Sequence, residues 1–394
     1  MQSGNPIKIL LIENSGADFY KSRVPLALYL KSANYDVSAL VPDDGYIELI
    51  QDQGITVLHY PIQRGNKGLF QLLYLMRVYR KLIKLYKFDI VHSFRFQPNL
   101  ITAIASLFLP VKVILHITGL GIAYANKSIK YLFFRQVSQI IYFVKFLVAD
   151  LLIVQNPDDI KSLWFTFFNK NKIDLILGSG IDLSKFSRND YERQGVRESY
   201  NISPETMLFV CVTRLLWEKG IRELVNVFES LPLGHPKVML FVIGASDIDN
   251  PRHVTQEFID NYATSKIIRF LGNSDEIKSL LIAADVFIYP SYYREGIPRA
   301  ILEALAMSLP IITTETPGCM LTVRNNKNGL LILPRSEIAI KQAVIDMVSR
   351  RSEHKSMGKN IRALAEEDFS DKIIFDKISA AYQHVLFGSP LRIS

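Results

Sequence analysis

The feature that most constrains this chain is a repeated beat. Short apolar runs of strand length alternate with segments of helix length, and the pattern is interrupted once, in the middle. The first series is Lys8 to Ile12, Asp36 to Val41, Ile90 to Phe94, Val111 to Thr118 and Asp150 to Gln155; Arg23 to Ala33 reads as a helix between the first two. The second is Thr206 to Leu215, Lys237 to Gly244, Ile267 to Gly272, Asp285 to Ser291, Leu309 to Thr314 and Gly329 to Pro334. Near-continuous apolar strands separated by crossover helices make parallel sheets covered on both faces. From Gly178 to Asn201 the periodicity stops and polar residues accumulate, the mark of an inter-domain link. At 394 residues the chain exceeds what one core organises. The expectation is an α/β fold of two doubly wound, Rossmann-like domains facing a cleft: residues 1–184, a linker over 185–204, residues 205–370, and a C-terminal helix over 371–394 that crosses back to the first domain. Ligands of such sheets bind beyond the carboxyl ends of the strands.

Charge divides the halves unequally. Net charge is +8, and all the excess lies in residues 1–190, which hold 22 Lys+Arg against 14 Asp+Glu. Between Gln53 and Ala149 there are 13 Lys+Arg, including Arg64, Lys67 and Lys127, and one acid, Asp89. An anionic partner is implied. Leu69 to Phe88 is a basic amphipathic helix carrying Arg77, Arg80, Lys81, Lys84 and Lys87. Ile129 to Val148 is more apolar and carries only Lys130, Arg135 and Lys145. Cations spaced through both segments favour lying in a membrane interface or lining an acceptor groove, although crossover helices also bury one apolar stripe. Basic residues embedded in apolar helices, with no zinc-finger spacing or RNA-binding signature, exclude nucleic acid as the partner.

Two cysteines, Cys211 and Cys319, build no disulfide framework and no C-x-x-C site, which points to the cytosol. The apolar core of the N-terminus is six residues long before Glu13, too short for a signal peptide. No G-x-G-x-x-G follows the first strand, so a dinucleotide-dependent oxidoreductase is disfavoured. Asp247-Ile-Asp249 has D-x-D spacing but reads as a solvated turn, and no metal or other cofactor is expected.

Chemistry concentrates in two stretches. In Ser291 to Pro317, Glu295 sits in a Gly- and Pro-containing loop after a strand, and Glu303 follows eight positions on, about two turns into a helix. Backbone N–H groups at Gly296 and Ile297 suit a phosphate or a sugar hydroxyl, and the carboxylates suit hydroxyls of a sugar and a ribose. An amphipathic helix with a capping glutamate fits the spacing equally well. In Val212 to Leu224, Arg214 ends a strand and Lys219 follows before Gly220. A guanidinium fork and an ammonium at one strand-end cleft suit a diphosphate leaving group, and two solvated surface charges are the plainer alternative.

These residues carry a resemblance. E-G-I-P-R-A-I-L-E-A-L-A-M-S-L-P-I-I-T-T, with T-R-L-L-W-E-K-G upstream and G-S-G-I-D at the link, resembles the retaining glycosyltransferases of family 4, of GT-B fold. The resemblance implies that Arg214 and Lys219 bind the donor diphosphate, Glu295 the donor sugar and Glu303 the ribose. Many members have a Gly-Gly loop after the first strand; this chain departs from it with Asn14-Ser15-Gly16-Ala17, and the resemblance implies that Ser15 and Gly16 lie on the donor side. His116 to Gly121, H-I-T-G-L-G, resembles the subgroup that extends undecaprenyl-diphosphate-linked sugars, N-acetylgalactosaminyltransferases among them, and gives His116 a contact with the donor sugar or diphosphate. His92, also at a strand end, fits a structural role. The implied enzyme takes a UDP-sugar, acts on an undecaprenyl-diphosphate-linked saccharide in surface polysaccharide or glycan assembly such as O-antigen or capsule, and sits peripherally on the inner face of the cell membrane. A retaining transfer lets the departing diphosphate take the acceptor proton, so the protein mainly stabilises developing negative charge. Inverting transfer needs a positioned base, for which only His92, His116 or a distant carboxylate such as Asp18 is at hand. A UDP-sugar epimerase of the same two-domain fold is the alternative.

Overall fold

The computed structural model describes residues 6–61, 68–125, 128–187, 189–231, 238–248 and 250–389. Arg64, Lys67, Lys127 and Asp249 of the sequence reading lie outside the described residues, as does the side chain of Lys130. The chain divides into two compact units, Met1–Gly180 with Asp371–Ser394, and Ile181–Ser370.

The first unit holds a seven-stranded parallel sheet of β1 (Lys8–Ile12), β2 (Asp36–Pro42), β3 (Thr56–Tyr60), β4 (Ile90–Phe94), β5 (Lys112–Ile117), β6 (Leu151–Val154) and β7 (Ile173–Leu175), in the order β3-β2-β1-β4-β5-β6-β7. The second holds six parallel strands, β8 (Met207–Val212), β9 (Val238–Ile243), β10 (Ile268–Gly272), β11 (Val286–Tyr289), β12 (Ile311–Thr314) and β13 (Gly329–Ile332), in the order β10-β9-β8-β11-β12-β13. Both orders reverse direction at their first strand, and such a switch point opens a crevice at the strand ends. Central strands β1, β4 and β8 are apolar and buried along nearly their whole length because helices cover both faces. The edge strands β3 and β7 were not anticipated. β3 is buried at only two of five positions and β7 is three residues long, so neither shows the apolar run of a central strand.

The expected linker over 185–204 contains a helix, Asp190–Ser199, which belongs to the second unit. Asn189 caps it, its side chain accepting from the N–H groups of Tyr191 and Glu192. What the helix buries is charge. Arg193 and Arg197 both reach Asp285, at 2.7 and 3.1 Å, and their remaining donors meet the carbonyls of Ile282, Ala283, Ala284, Ser203 and Thr206. A helix anchored by guanidinium groups has no apolar stripe to read, which is why the segment resembled a link.

The C-terminal helix Asp371–Phe387 packs into the first unit, where Ile374, Phe375, Ile378, Ala381 and Tyr382 join the core formed by Leu30, Val37, Val41 and Ile90. Tyr382 shares a hydrogen bond of 2.7 Å with His92 Nδ1.

Candidate functional site

In the second unit, β8 and β11 are neighbours, and the segments leaving their carboxyl ends carry Arg214, Lys219 and Glu295. After β8 the chain passes Arg214 and makes a short 3-10 turn, Trp217–Lys219, ended by Gly220 at φ 75°. A Cβ on Gly220 would come within 2.3 Å of the Pro290 carbonyl oxygen, so only glycine lets this turn lie against the end of β11. Lys219 is thereby delivered beneath the loop that carries Glu295.

There it is fully engaged. Lys219 Nζ donates to Glu295 Oε1 and Oε2, at 2.7 and 2.8 Å, and to the Tyr289 hydroxyl at 2.9 Å. Tyr289 and Ser291 donate in turn to Glu295 Oε1, at 3.0 and 3.1 Å. The Glu295 carboxylate is therefore fixed by an ammonium and two hydroxyls, while its side chain keeps 20% of its surface exposed. Burial, then the Glu295 charge, pushes the Tyr289 phenol well above its ordinary range, so it stays a donor. The loop is held from behind as well. Thr313 Oγ1 donates to the Tyr289 carbonyl at 2.8 Å, Thr314 Oγ1 donates to that of Ser291, and a Cβ on Gly318 would collide with the Gly296 carbonyl oxygen at 1.8 Å.

Arg214 is separate from this cluster. Its side chain is 62% exposed and meets Asp247 at 4.0 Å. Tyr293 stands near both cations: its ring lies 5.3 Å from Lys219 Nζ, and the Arg214 charge counters the rise that burial imposes on its phenol. The sequence placed Arg214 and Lys219 at one strand-end cleft, whereas the structure joins Lys219 to Glu295 and leaves Arg214 apart; it did not reveal Tyr289, Ser291 and Tyr293, whose signal was only their place at a strand end.

The helix carrying Glu303 starts later than its spacing suggested. Pro298 is its N-cap and it runs Arg299–Ala306, so Gly296 and Ile297 belong to the preceding loop and Glu303 sits little more than one turn in. The cause is Pro298, which drives the residue before it out of helical geometry. Glu303 Oε1 accepts from Arg299 Nε at 3.1 Å.

In the first unit, Ser15 and Gly16 serve their own loop. Ser15 caps the helix Gly16–Ser22 by accepting from Asp18 N–H, and Gly16 N–H donates to Asp44 Oδ2 at 2.7 Å. His116 also departs from expectation, since its ring is fully buried, stacks on His92 at 5.5 Å and pairs through Nε2 with Gln155 at 3.2 Å. Burial, the His92 ring and the Arg23 charge hold His116 well below the usual histidine range, and burial and Arg23 do the same to His92. Both are neutral interior groups rather than bases offered to a ligand. Asp18 is tied to Arg95 at 2.7 Å.

The basic helices are corrected in part. In Leu69–Tyr86, Arg77, Lys81 and Lys84 are exposed, but Arg80 turns inward to the carbonyls of Ala105 and Leu107 at 2.9 and 2.8 Å. In Ile129–Val148, Arg135 lies over the Tyr124 ring at 5.3 Å, and Lys145 is buried, donating to the Phe96 carbonyl at 2.9 Å, with burial lowering its affinity for a proton. The outer face of that helix is apolar: Phe133 is 67% exposed and Ile140 64%. An unanticipated aromatic turn adjoins it, where Phe167 is 65% exposed and Trp164 contacts Phe143 at 5.1 Å between rings. Among the described residues, one helix is long and apolar enough to cross a membrane, within Tyr131–Val148. No three His, Cys, Asp or Glu side chains gather as a metal site among the described residues.

The family model for glycosyl transferases group 1 matches residues 192–364, and that for glycosyl transferase 4-like proteins matches residues 8–156. The chain is a group 1, family 4-like glycosyltransferase. Among such enzymes it is 26% identical to the N,N'-diacetylbacillosaminyl-diphospho-undecaprenol alpha-1,3-N-acetylgalactosaminyltransferase of Campylobacter jejuni, over 96% of this chain and 99% of that one. It is 24% identical to the UDP-Gal:alpha-D-GlcNAc-diphosphoundecaprenol alpha-1,3-galactosyltransferase of Escherichia coli, over 90% of each. The crystal structure of Anabaena Alr3699/HepE in complex with UDP and glucose shares its GT-B fold, with a TM-score of 0.80, 18% identity, and coverage of 96% of this chain and 99% of that one.

Proposed function

We propose that this glycosyltransferase moves a sugar from a UDP-sugar to an undecaprenyl-diphosphate-linked saccharide at an anionic membrane surface, with retention of anomeric configuration. The observation that carries this reading is the Lys219–Glu295–Tyr289 cluster, a carboxylate pre-positioned at a strand end with an exposed arginine on the neighbouring strand end. The two undecaprenol-dependent relatives, each matched over nine-tenths of its length or more, support the acceptor class.

In the reaction, the bond between the sugar's C1 and the β-phosphate oxygen breaks, and C1 bonds to the acceptor hydroxyl oxygen on the same face. The acceptor proton passes to the leaving diphosphate. Arg214 meets the growing phosphate charge directly, while Lys219 contributes its charge from beneath and positions Glu295 against the sugar hydroxyls. The Glu295 carboxylate is occupied by four hydrogen bonds, and His92 and His116 are buried and neutral, which favours proton transfer to the leaving group over base-catalysed inversion. Glu303 is assigned the ribose hydroxyls. Glucose or galactose and their N-acetylamino forms are the donor class.

The membrane reading rests on the exposed apolar face of Ile129–Val148 and the exposed Arg77, Lys81 and Lys84. A thermal-shift panel of UDP, GDP, ADP, NAD and UDP-sugars without added metal tests the donor. A ligand at 100 times its Kd stabilises the native state by about 2.7 kcal/mol. A shift with UDP and one UDP-sugar is expected; a shift with NAD alone, or with nothing, would remove the donor assignment.

A further inference from the structure

Two tyrosines face the Lys219 ammonium, and the fold uses the hydroxyl of only one. Lys219 Nζ lies 5.3 Å from the ring centre of Tyr289 and 5.3 Å from that of Tyr293, close enough to both for cation–π attraction. The Tyr289 hydroxyl is committed to Glu295 Oε1 at 3.0 Å. Tyr293 is half-buried, and no described residue bonds its hydroxyl. Glu295, two residues on, takes its hydrogen bonds from Lys219, Tyr289 and Ser291 instead.

The backbone holds Tyr293 in place. Its N–H donates to Ser291 Oγ at 3.2 Å, and its carbonyl accepts from Glu295 N–H at 3.1 Å. Ser291 Oγ donates in turn to Glu295 Oε1, so Tyr293 sits at the tip of a closed turn whose two ends belong to the Lys219–Glu295 cluster. A side chain carried by so fixed a turn loses little freedom when it meets a ligand, the condition for a preorganised donor.

Its surroundings select the ligand. Burial, then the Glu295 charge, raises the Tyr293 phenol above its ordinary range, and the Arg214 and Arg252 charges oppose the rise. The phenol keeps its proton and acts as a donor in the field of two guanidinium groups. Arg252 is paired with the buried Glu218 at 3.0 Å, whereas Arg214 is mostly exposed. A neutral hydroxyl donor beside an exposed cation suits an anion that only accepts, with several oxygens to share between them. A neutral sugar ring would leave the Arg214 charge unmatched.

We propose that Tyr293 is a further catalytic residue of the transfer, its hydroxyl donating a hydrogen bond to the β-phosphate of the donor as the bond to the sugar breaks. The electron pair of that C1–O bond goes to the β-phosphate oxygen, and the acceptor proton follows it. Tyr293 keeps its own proton throughout, and its hydrogen bond strengthens as charge grows on the phosphate. The assignment rests on the transferase reading and adds a neutral donor to the two cations named there.

Tyr293→Phe removes the hydroxyl and keeps the ring beside Lys219. Calorimetry with UDP and phosphorus NMR of bound UDP, on the full chain in wild type and variant, test the contact. UDP affinity should fall about tenfold in the variant, with thermal unfolding of the unliganded chain unchanged. The β-phosphorus signal of bound UDP should move while the α-phosphorus signal stays in place. Transfer from a UDP-sugar should lose about tenfold or more in kcat. Wild-type UDP affinity in Tyr293→Phe, a loss of affinity in which both phosphorus signals move alike, or a wild-type kcat would overturn the role of Tyr293 and leave the transferase reading standing. No binding of UDP to the wild type would remove the donor assignment and the role of Tyr293 together.

Discussion

At the scale of single residues, Lys219 and Arg214 have the same charge and different jobs. Lys219 is nearly buried and neutralises Glu295, so Lys219→Ala strands a carboxylate among hydroxyls. Breaking such a pair costs about 3–5 kcal/mol, and urea denaturation should show a loss of that order together with weakened UDP binding. Arg214→Ala removes an exposed group, and stability should stay within about 0.5 kcal/mol while UDP affinity, measured by calorimetry, falls by about 1–3 kcal/mol. Equal destabilisation by both would contradict this division. The stacked histidines make a second residue-scale prediction. His92 and His116 are held neutral in the folded chain, whereas in the unfolded chain they protonate near pH 6.5. Below that pH the unfolded state binds more protons, so stability falls as pH falls, by up to about 1.4 kcal/mol per pH unit for each histidine. Denaturation midpoints measured from pH 7.5 to 5 should drop, and His116→Gln should flatten the slope; an unchanged slope would show that other groups govern acid sensitivity.

At the scale of elements, how well the sequence could be read depended on what each element buries. Strands such as β1, β4 and β8 bury mostly apolar side chains, with His92 and Ser93 the exceptions in β4, and were visible as apolar runs. Asp190–Ser199 buries guanidinium groups on Asp285 and was invisible for that reason. Arg197→Met should therefore destabilise the second unit by about 1–3 kcal/mol in spite of its greater hydrophobicity, since the Ser203 and Thr206 carbonyls lose their donor and Asp285 keeps only Arg193 and the Leu208 N–H. Chemical denaturation followed by Trp217 fluorescence reads this directly. The basic helices were half legible for a related reason: spacing fixes which positions share a face, but a long side chain such as Arg80 or Lys145 can reach inward to a carbonyl from a position that looks external. The face that remains outward is apolar on Ile129–Val148, and on Leu69–Tyr86 it mixes Arg77, Lys81 and Lys84 with Leu69, Phe70 and Leu85. Exchanging Lys81, Lys84 and Lys87 for Gln, or Phe133 and Ile140 for Ser, should release the protein from anionic vesicles in flotation. Flotation unchanged in both sets would refute the membrane face.

At the scale of the molecule, chain connectivity and structural unit do not coincide. The last helix, Asp371–Phe387, follows the second unit in sequence yet completes the core of the first, with Tyr382 bonded to His92. The two-sheet architecture was legible because apolar runs recur along the whole chain, and the Lys219–Glu295 pair because both residues fall just beyond strand ends. Two kinds of information were not local enough to read. One is the partner of a polar group: Lys219 finds Tyr289 and Glu295 about seventy residues away, and Gly16 finds Asp44. The other is orientation at a strand end, which turns His116 into the sheet interior. The proposed activity belongs to the whole enzyme, and transfer itself tests it. The purified chain should be given tritiated UDP-sugars of glucose, galactose and their N-acetylamino forms with an N-acetylhexosaminyl diphospho-undecaprenol in anionic vesicles. Label is expected in the lipid from one α-linked donor, as an α-glycoside by NMR, and little label with Glu295→Ala. A β-linked product, or hydrolysis of every UDP-sugar with no label reaching the lipid, would contradict it.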